Sequence, residues 1–153
     1  MVSVHRTAEI TWNRSIARGS GVASGGSGAV HDLPMTLASR LGEPAGKTSP
    51  EELIAAAHAG RFTMSLGSIL ASKDTPPERL QVTATVTLET SGGPGIVSSE
   101  LEVHGVVPGS DAAAFEAAAH EAERNCVVSR ALKGNVEIRV HATLEMPSTS
   151  RAA

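Results

Sequence analysis

The chain has 153 residues, 41% of them apolar, a formal charge of −3 and a pI near 6.1, which sets a single ordinary domain with its own core as the expectation. Lysine and arginine are dispersed and aromatic residues make up only 2%, so the sequence offers neither a basic footprint nor a stacking platform, and no nucleic-acid or membrane partner is expected. One cysteine, Cys126, excludes an intrachain disulfide and a cysteine-based metal cage, and the six histidines show no ligand spacing, so no metal or cofactor is expected.

In chain order, residues 3–12 alternate and carry Val4, Thr7, Ile10, Thr11 and Trp12, which predicts a first strand. The same stretch lacks the apolar block of a secretory signal, so a cytoplasmic location is the expectation. Residues 18–30, RGSGVASGGSGAV, have the glycine content of a phosphate-cradling loop without its Lys-Ser/Thr ending or a following helix, and are read as a flexible hairpin. Residues 31–40 predict a short edge strand interrupted by Pro34, and 41–48 a linker. After a long helix over 49–72, residues 80–89 alternate Leu80, Val82, Ala84, Val86 and Leu88 with polar partners, the pattern of a half-buried strand. A turn at 91–95 leads to a second strand over 100–107, making a hairpin. Ser110 or Asp111 caps an alanine-rich helix to Arg124, a short helical turn covers 127–132, and 136–144 is the last strand. Residues 1–145 read as one domain and 146–153 as a disordered tail.

The long helix organises the rest. Ser49 suits the N-cap, Pro50 the first helical position, and Glu52 completes the spacing of a capping box. Leu53, Ile54, Phe62, Met64, Leu66, Ile69 and Leu70 put apolar bulk around most of the circumference, so the helix is expected to be covered on nearly every side. Ala55, Ala56, Ala57, Ala59 and Gly60 form a small-residue patch that lets another backbone come close. Arg61 at mid-length, His58 and the acids Glu51 and Glu52 speak against a membrane span.

Two blocks carry a family likeness: Ser49-Pro50-Glu51-Glu52-Leu53-Ile54-Ala55-Ala56-Ala57-His58-Ala59 with Phe62-Thr63-Met64-Ser65-Leu66, and Cys126 to Ile138. They resemble the OsmC/Ohr family of organic hydroperoxide reductases, and Ser39-Arg40-Leu41 resembles the motif upstream of the helix in the OsmC branch. The likeness covers about residues 8–145. It implies an α+β fold, antiparallel sheets around long central helices, an intertwined homodimer, and a thiol peroxidase site at the subunit interface that acts on organic hydroperoxides in oxidative-stress defence. Carried over by resemblance, Arg40 and Glu51 match the residues that hold the peroxidatic thiolate, and Cys126 matches the resolving cysteine. The peroxidatic position itself is Arg61. A guanidinium stays protonated and has no lone pair with which to attack an O–O bond, so the two-cysteine cycle is lost on this reading. Val127 stands where the family usually has proline.

Glu51 and Arg61 lie about 15 Å apart along one straight helix, and about 80° apart around it, so they cannot touch within a chain. Two copies packed antiparallel through Ala56, Ala57 and Gly60 would bring Glu51 of one near Arg61 of the other, satisfying an arginine that would otherwise be costly in an apolar interface. Each site residue also has a plain reading: a dipole-favoured Glu51 where the alternative is pairing with Arg40 or Arg61, a surface Arg40, a buried inert Cys126, and a His58 that is a satisfied core residue. Three functions follow from these readings. The first is an OsmC-like homodimer without ordinary peroxidase chemistry, whose pocket, with Arg40 and Arg61, suits an anionic small molecule. The second is a one-cysteine hydroperoxide reductase using Cys126 and an external thiol. The third is a structural or partner-binding remnant.

Overall fold

The computed structural model describes residues 1–147, so residues 148–153 of the expected tail lie outside the described residues. Two compact units are present, Met1–Leu53 and the chain from Ile54 onward.

The first unit holds a three-stranded sheet in the order β1-β2-β3, with β1 Ala8–Asn13, β2 Ser20–Gly25 and β3 Leu33–Met35, all antiparallel. The first strand thus begins at Ala8, later than the alternation from residue 3 suggests. The Gly/Ser stretch does form a hairpin arm, and its glycines have a packing reason. A Cβ on Gly21 would sit 2.5 Å from Cε3 of Trp12, directly opposite it in the ladder. Pro34 is tolerated because β3 is an edge strand. The expected strand over 31–40 ends early, and helix α1, Leu37–Leu41, replaces its second half. Thr36 and Ser39 dictate this local choice: Ser39 N–H donates to Thr36 Oγ1 at 3.0 Å while Thr36 N–H donates to Ser39 Oγ at 3.1 Å, a reciprocal cap.

Helix α2 spans Pro50–Ser72. Ser49 Oγ accepts the Glu52 N–H at 3.1 Å as expected. The other half of the capping box is absent, because the Glu52 carboxylate instead accepts the Thr48 hydroxyl at 2.8 Å.

The second unit contains β4 Arg79–Glu89, β5 Gly95–Val106, α3 Ala112–Asn125, α4 Val127–Leu132 and β6 Glu137–Leu144, with sheet order β4-β5-β6. The α+β class stands, with one correction to the expectation of antiparallel sheets: β6 runs parallel to β5. The reason is the connection, which crosses through α3 and α4 rather than a tight turn. Asp111, of the two candidate caps, is the one used, its carboxylate accepting the Ala114 N–H at 2.8 Å.

The core of this unit joins Phe62, Leu66, Ile69 and Leu70 of α2 to Leu101 and Val103 of β5, to Phe115, Ala118, Ala119 and Ala122 of α3, and to Cys126. Gly105 lets the Phe115 ring lie on the strand, since a Cβ there would meet Cζ at 2.5 Å. Burying that ring contributes up to about 3 kcal/mol. On α2 the covered stripe is His58, Phe62, Ser65, Leu66, Ile69 and Leu70, at helical spacing. The chain does not cover the helix on nearly every side: Ala56, Ala57, Gly60 and Met64 are exposed, Met64 at 71%.

Candidate functional site

Helix α1 and the start of α2 carry the first pair of candidate residues and bring them together. Arg40 Nε donates to both Glu51 carboxylate oxygens at 3.1 Å, and Nη2 donates to Oε1 at 2.6 Å. The hydrogen bonds from Arg40 hold the Glu51 carboxyl below its ordinary value, partly opposed by burial, and the same bonds raise the Arg40 guanidinium. Both groups are therefore ionised at neutral pH. Arg40 also borders a cavity of about 140 Å³ whose other walls are Trp12, Ile16, Met35, Thr36, Leu37 and Pro50.

This pairing corrects one expectation. The Glu51 carboxylate offered above as the companion of Arg61 in a second copy is already neutralised by Arg40 of its own chain.

Arg61, on α2, is half-buried, and among the described residues no carboxylate lies within 4.0 Å of it. Cys126 is a free thiol with 0% exposure, at the junction where α3 ends and α4 begins. It serves as N-cap of α4 through its backbone, with no side-chain capping bond.

Sequence reasoning missed two partners of a third group. His58 is 0% exposed, with Nδ1 2.7 Å from Ser99 Oγ on β5 and Nε2 2.8 Å from Ser129 Oγ on α4. Burial pushes its pKa below the ordinary 6.5, so the ring is neutral at neutral pH. A neutral ring has one donor and one acceptor nitrogen, and either serine hydroxyl can play the complementary part. The signal for His58 was its place on the core stripe with Phe62 and Leu66, where a polar ring must find partners. Nothing in the sequence named Ser99 or Ser129.

Among the described residues, no group of three or more His, Cys, Asp and Glu is arranged to hold a metal ion, and no helix is long and apolar enough to cross a membrane.

Residues 42–141 match the family model described as OsmC-like protein. The chain is 33% identical over 138 residues to the peroxiredoxin OsmC of Escherichia coli, covering 90% of this chain and 96% of that one. It is 28% identical to an organic hydroperoxide resistance protein of Xanthomonas axonopodis, over 70% of this chain and 75% of the relative. The fold is similar to that of the organic hydroperoxide resistance protein OhrB of Bacillus subtilis, with a TM-score of 0.69 at 23% identity, over 90% of this chain and 98% of that one. A family match over most of the chain, together with a relative at one-third identity along nearly its full length, makes this protein a member of the OsmC-like family.

Proposed function

We propose that this protein is an OsmC-like homodimer that no longer runs the two-cysteine peroxidase cycle and holds an anionic small molecule against Arg61 at the subunit interface. The relatives named above are a peroxiredoxin and hydroperoxide resistance proteins. Their chemistry needs a thiolate that attacks one peroxide oxygen and expels the other as an alcohol. The position that resembles their peroxidatic cysteine is Arg61, which has no electron pair for that attack. The one remaining thiol, Cys126, is buried at 0% exposure.

The observation that carries the reading is the half-buried Arg61 with no carboxylate among the described residues within 4.0 Å, while Arg40 is already neutralised by Glu51. A guanidinium drawn out of water needs an anion nearby. Support for the second copy comes from the open side of α2, where Ala56, Ala57, Gly60 and Met64 leave apolar surface uncovered.

The test is cumene hydroperoxide turnover with excess dithiothreitol at pH 7.5, comparing the protein with Cys126→Ser, alongside calorimetric titration with octanoate. The expected result is equal background turnover in both proteins and octanoate binding that disappears in Arg61→Met. Cys126-dependent turnover would overturn the reading in favour of a one-cysteine reductase. The variant Arg61→Cys adds a geometric check: peroxide should convert its two thiols into a disulfide with Cys126, seen as the loss of two hydrogen masses. A dithiol that survives peroxide would break the assignment of position 61.

A further inference from the structure

The array of His58, Ser99 and Ser129 has no part in the function proposed above, yet it ties three elements of the second unit together at full burial. We infer that it is an acid-operated latch on Cys126: protonating the His58 ring releases α4 and uncovers the thiol. The inference goes beyond the proposed function, which concerns Arg61, and addresses access to the only sulfur nucleophile in the chain.

Ser99 from β5 and Ser129 from α4 face the two nitrogens of the ring, and both are neutral hydroxyls. The titratable residues beside them in sequence point elsewhere: Glu100 pairs with His141 at 2.9 Å on the outer face of the sheet, and Arg130 is exposed. Arg61, one turn along α2, is itself cationic and offers no countercharge. From the end of α3, Cys126 is the titratable group buried in the same core. Protonation would therefore place a positive charge in the interior with no anion among the described residues to meet it, which drives the ring toward any state that admits water.

Which element yields follows from how each is held. Strand β5 is the central strand of its sheet, paired with β4 on one side and β6 on the other. Helix α4 has only six residues and no side-chain cap at its start. Its first residue, Val127, is 53% exposed, and Val128 packs against the core only in part. Local opening selects the element with least holding it, and here that is α4. Cys126 is the N-cap of that helix and Arg130 N–H closes its first turn on the Cys126 carbonyl at 3.0 Å, so lifting the turn shifts the backbone that holds the thiol in the core.

The ring binds a proton in the open state at its ordinary value of 6.5 and resists it in the closed state. The open population should therefore grow as pH falls below 6.5, by about tenfold between pH 7.5 and 5.5. The experiment is labelling of Cys126 by 4,4′-dithiodipyridine from pH 5 to 8, each rate divided by that of N-acetylcysteine at the same pH. The expected ratio rises about tenfold into acid and is flat in His58→Gln, whose amide does not titrate. A ratio that is flat in the unmodified protein, or an acid rise that survives in His58→Gln, overturns the latch. Amide exchange of the unmodified protein at pH 7.5 and 5.5 decides the matter if His58→Gln does not fold. Residues 129–133 should lose protection in acid while β5 keeps its own, and loss in both or in neither overturns the inference. Turnover at pH 7.5 that depends on Cys126 would sink the proposed function alone, so the two failures are separable.

Discussion

The Arg40–Glu51 pair in the first unit and the His58 array in the second both place polar side chains away from bulk water, and they do so by opposite means. At the water's edge, where the Arg40 side chain keeps 35% of its surface and Glu51 11%, full charges face each other across a forked hydrogen bond. In the interior, where His58, Ser99 and Ser129 keep essentially none, every member is neutral and the hydroxyls adapt to the ring. Depth selects the protonation state. Charge survives where water still helps to solvate it, and deeper in the fold neutrality with complete hydrogen bonding is the cheaper solution.

The comparison is broken most directly by removing its buried half. His58→Ala should cost about 3–4 kcal/mol, because it opens a cavity and strands two buried hydroxyls at once. Urea unfolding at pH 7.5 measures it. A loss below about 1 kcal/mol would mean that the array relaxes easily and fixes little.

Removing one half of the surface pair should cost less. Arg40→Met is expected to destabilise by about 1–2 kcal/mol, since Glu51 can turn part of its carboxylate to solvent. The two sites should also separate by pH. Glu51, held below its ordinary value of 4.5, contributes stability that is present above that value and lost as pH falls through the lowered one. His58, held below its ordinary value of 6.5, stays unprotonated in the folded chain while the unfolded chain takes up a proton, so its loss begins higher, as pH falls below 6.5. An acid titration of stability should show both windows. Arg40→Met should flatten the lower one, and His58→Gln the upper one. If either variant flattened both, the sites would not be independent.

Much of this was legible in the sequence, for reasons that differ along the chain. Strand β4 was clear because Leu80 to Leu88 alternate strictly, and α2 because Ser49, Pro50 and Glu52 mark its start. Helix α1 was not, because its five residues follow Pro34 and the cap that starts it is a Thr36–Ser39 exchange without the acidic or amide residue of the common box. The parallel placement of β6 was hidden because alternation reports which face is buried and says nothing of direction. Arg40 and Glu51 were named as candidates from resemblance, with Arg40 and Arg61 both open as partners of Glu51, and the turn that α1 makes before α2 selects Arg40. The His58 array was half legible: a ring on an apolar stripe demands partners, while the partners come from 41 and 71 residues away.

The smallest effect tests the open side of α2. A Cβ added at Gly60 meets nothing within 4 Å among the described residues, and glycine inside a helix is destabilising relative to alanine by about 0.5–1 kcal/mol. In an isolated subunit Gly60→Ala should therefore raise stability by about that amount. In a homodimer packed through Ala56, Ala57 and Gly60, the added methyl would push the two backbones apart and weaken association, so the gain should shrink or change sign as protein concentration rises. Thermal unfolding of both proteins at two concentrations a hundredfold apart, with sedimentation to follow association, separates these cases. A gain that is the same at both concentrations would mean that this face stays bare, and that the small residues of α2 serve the packing of no second copy.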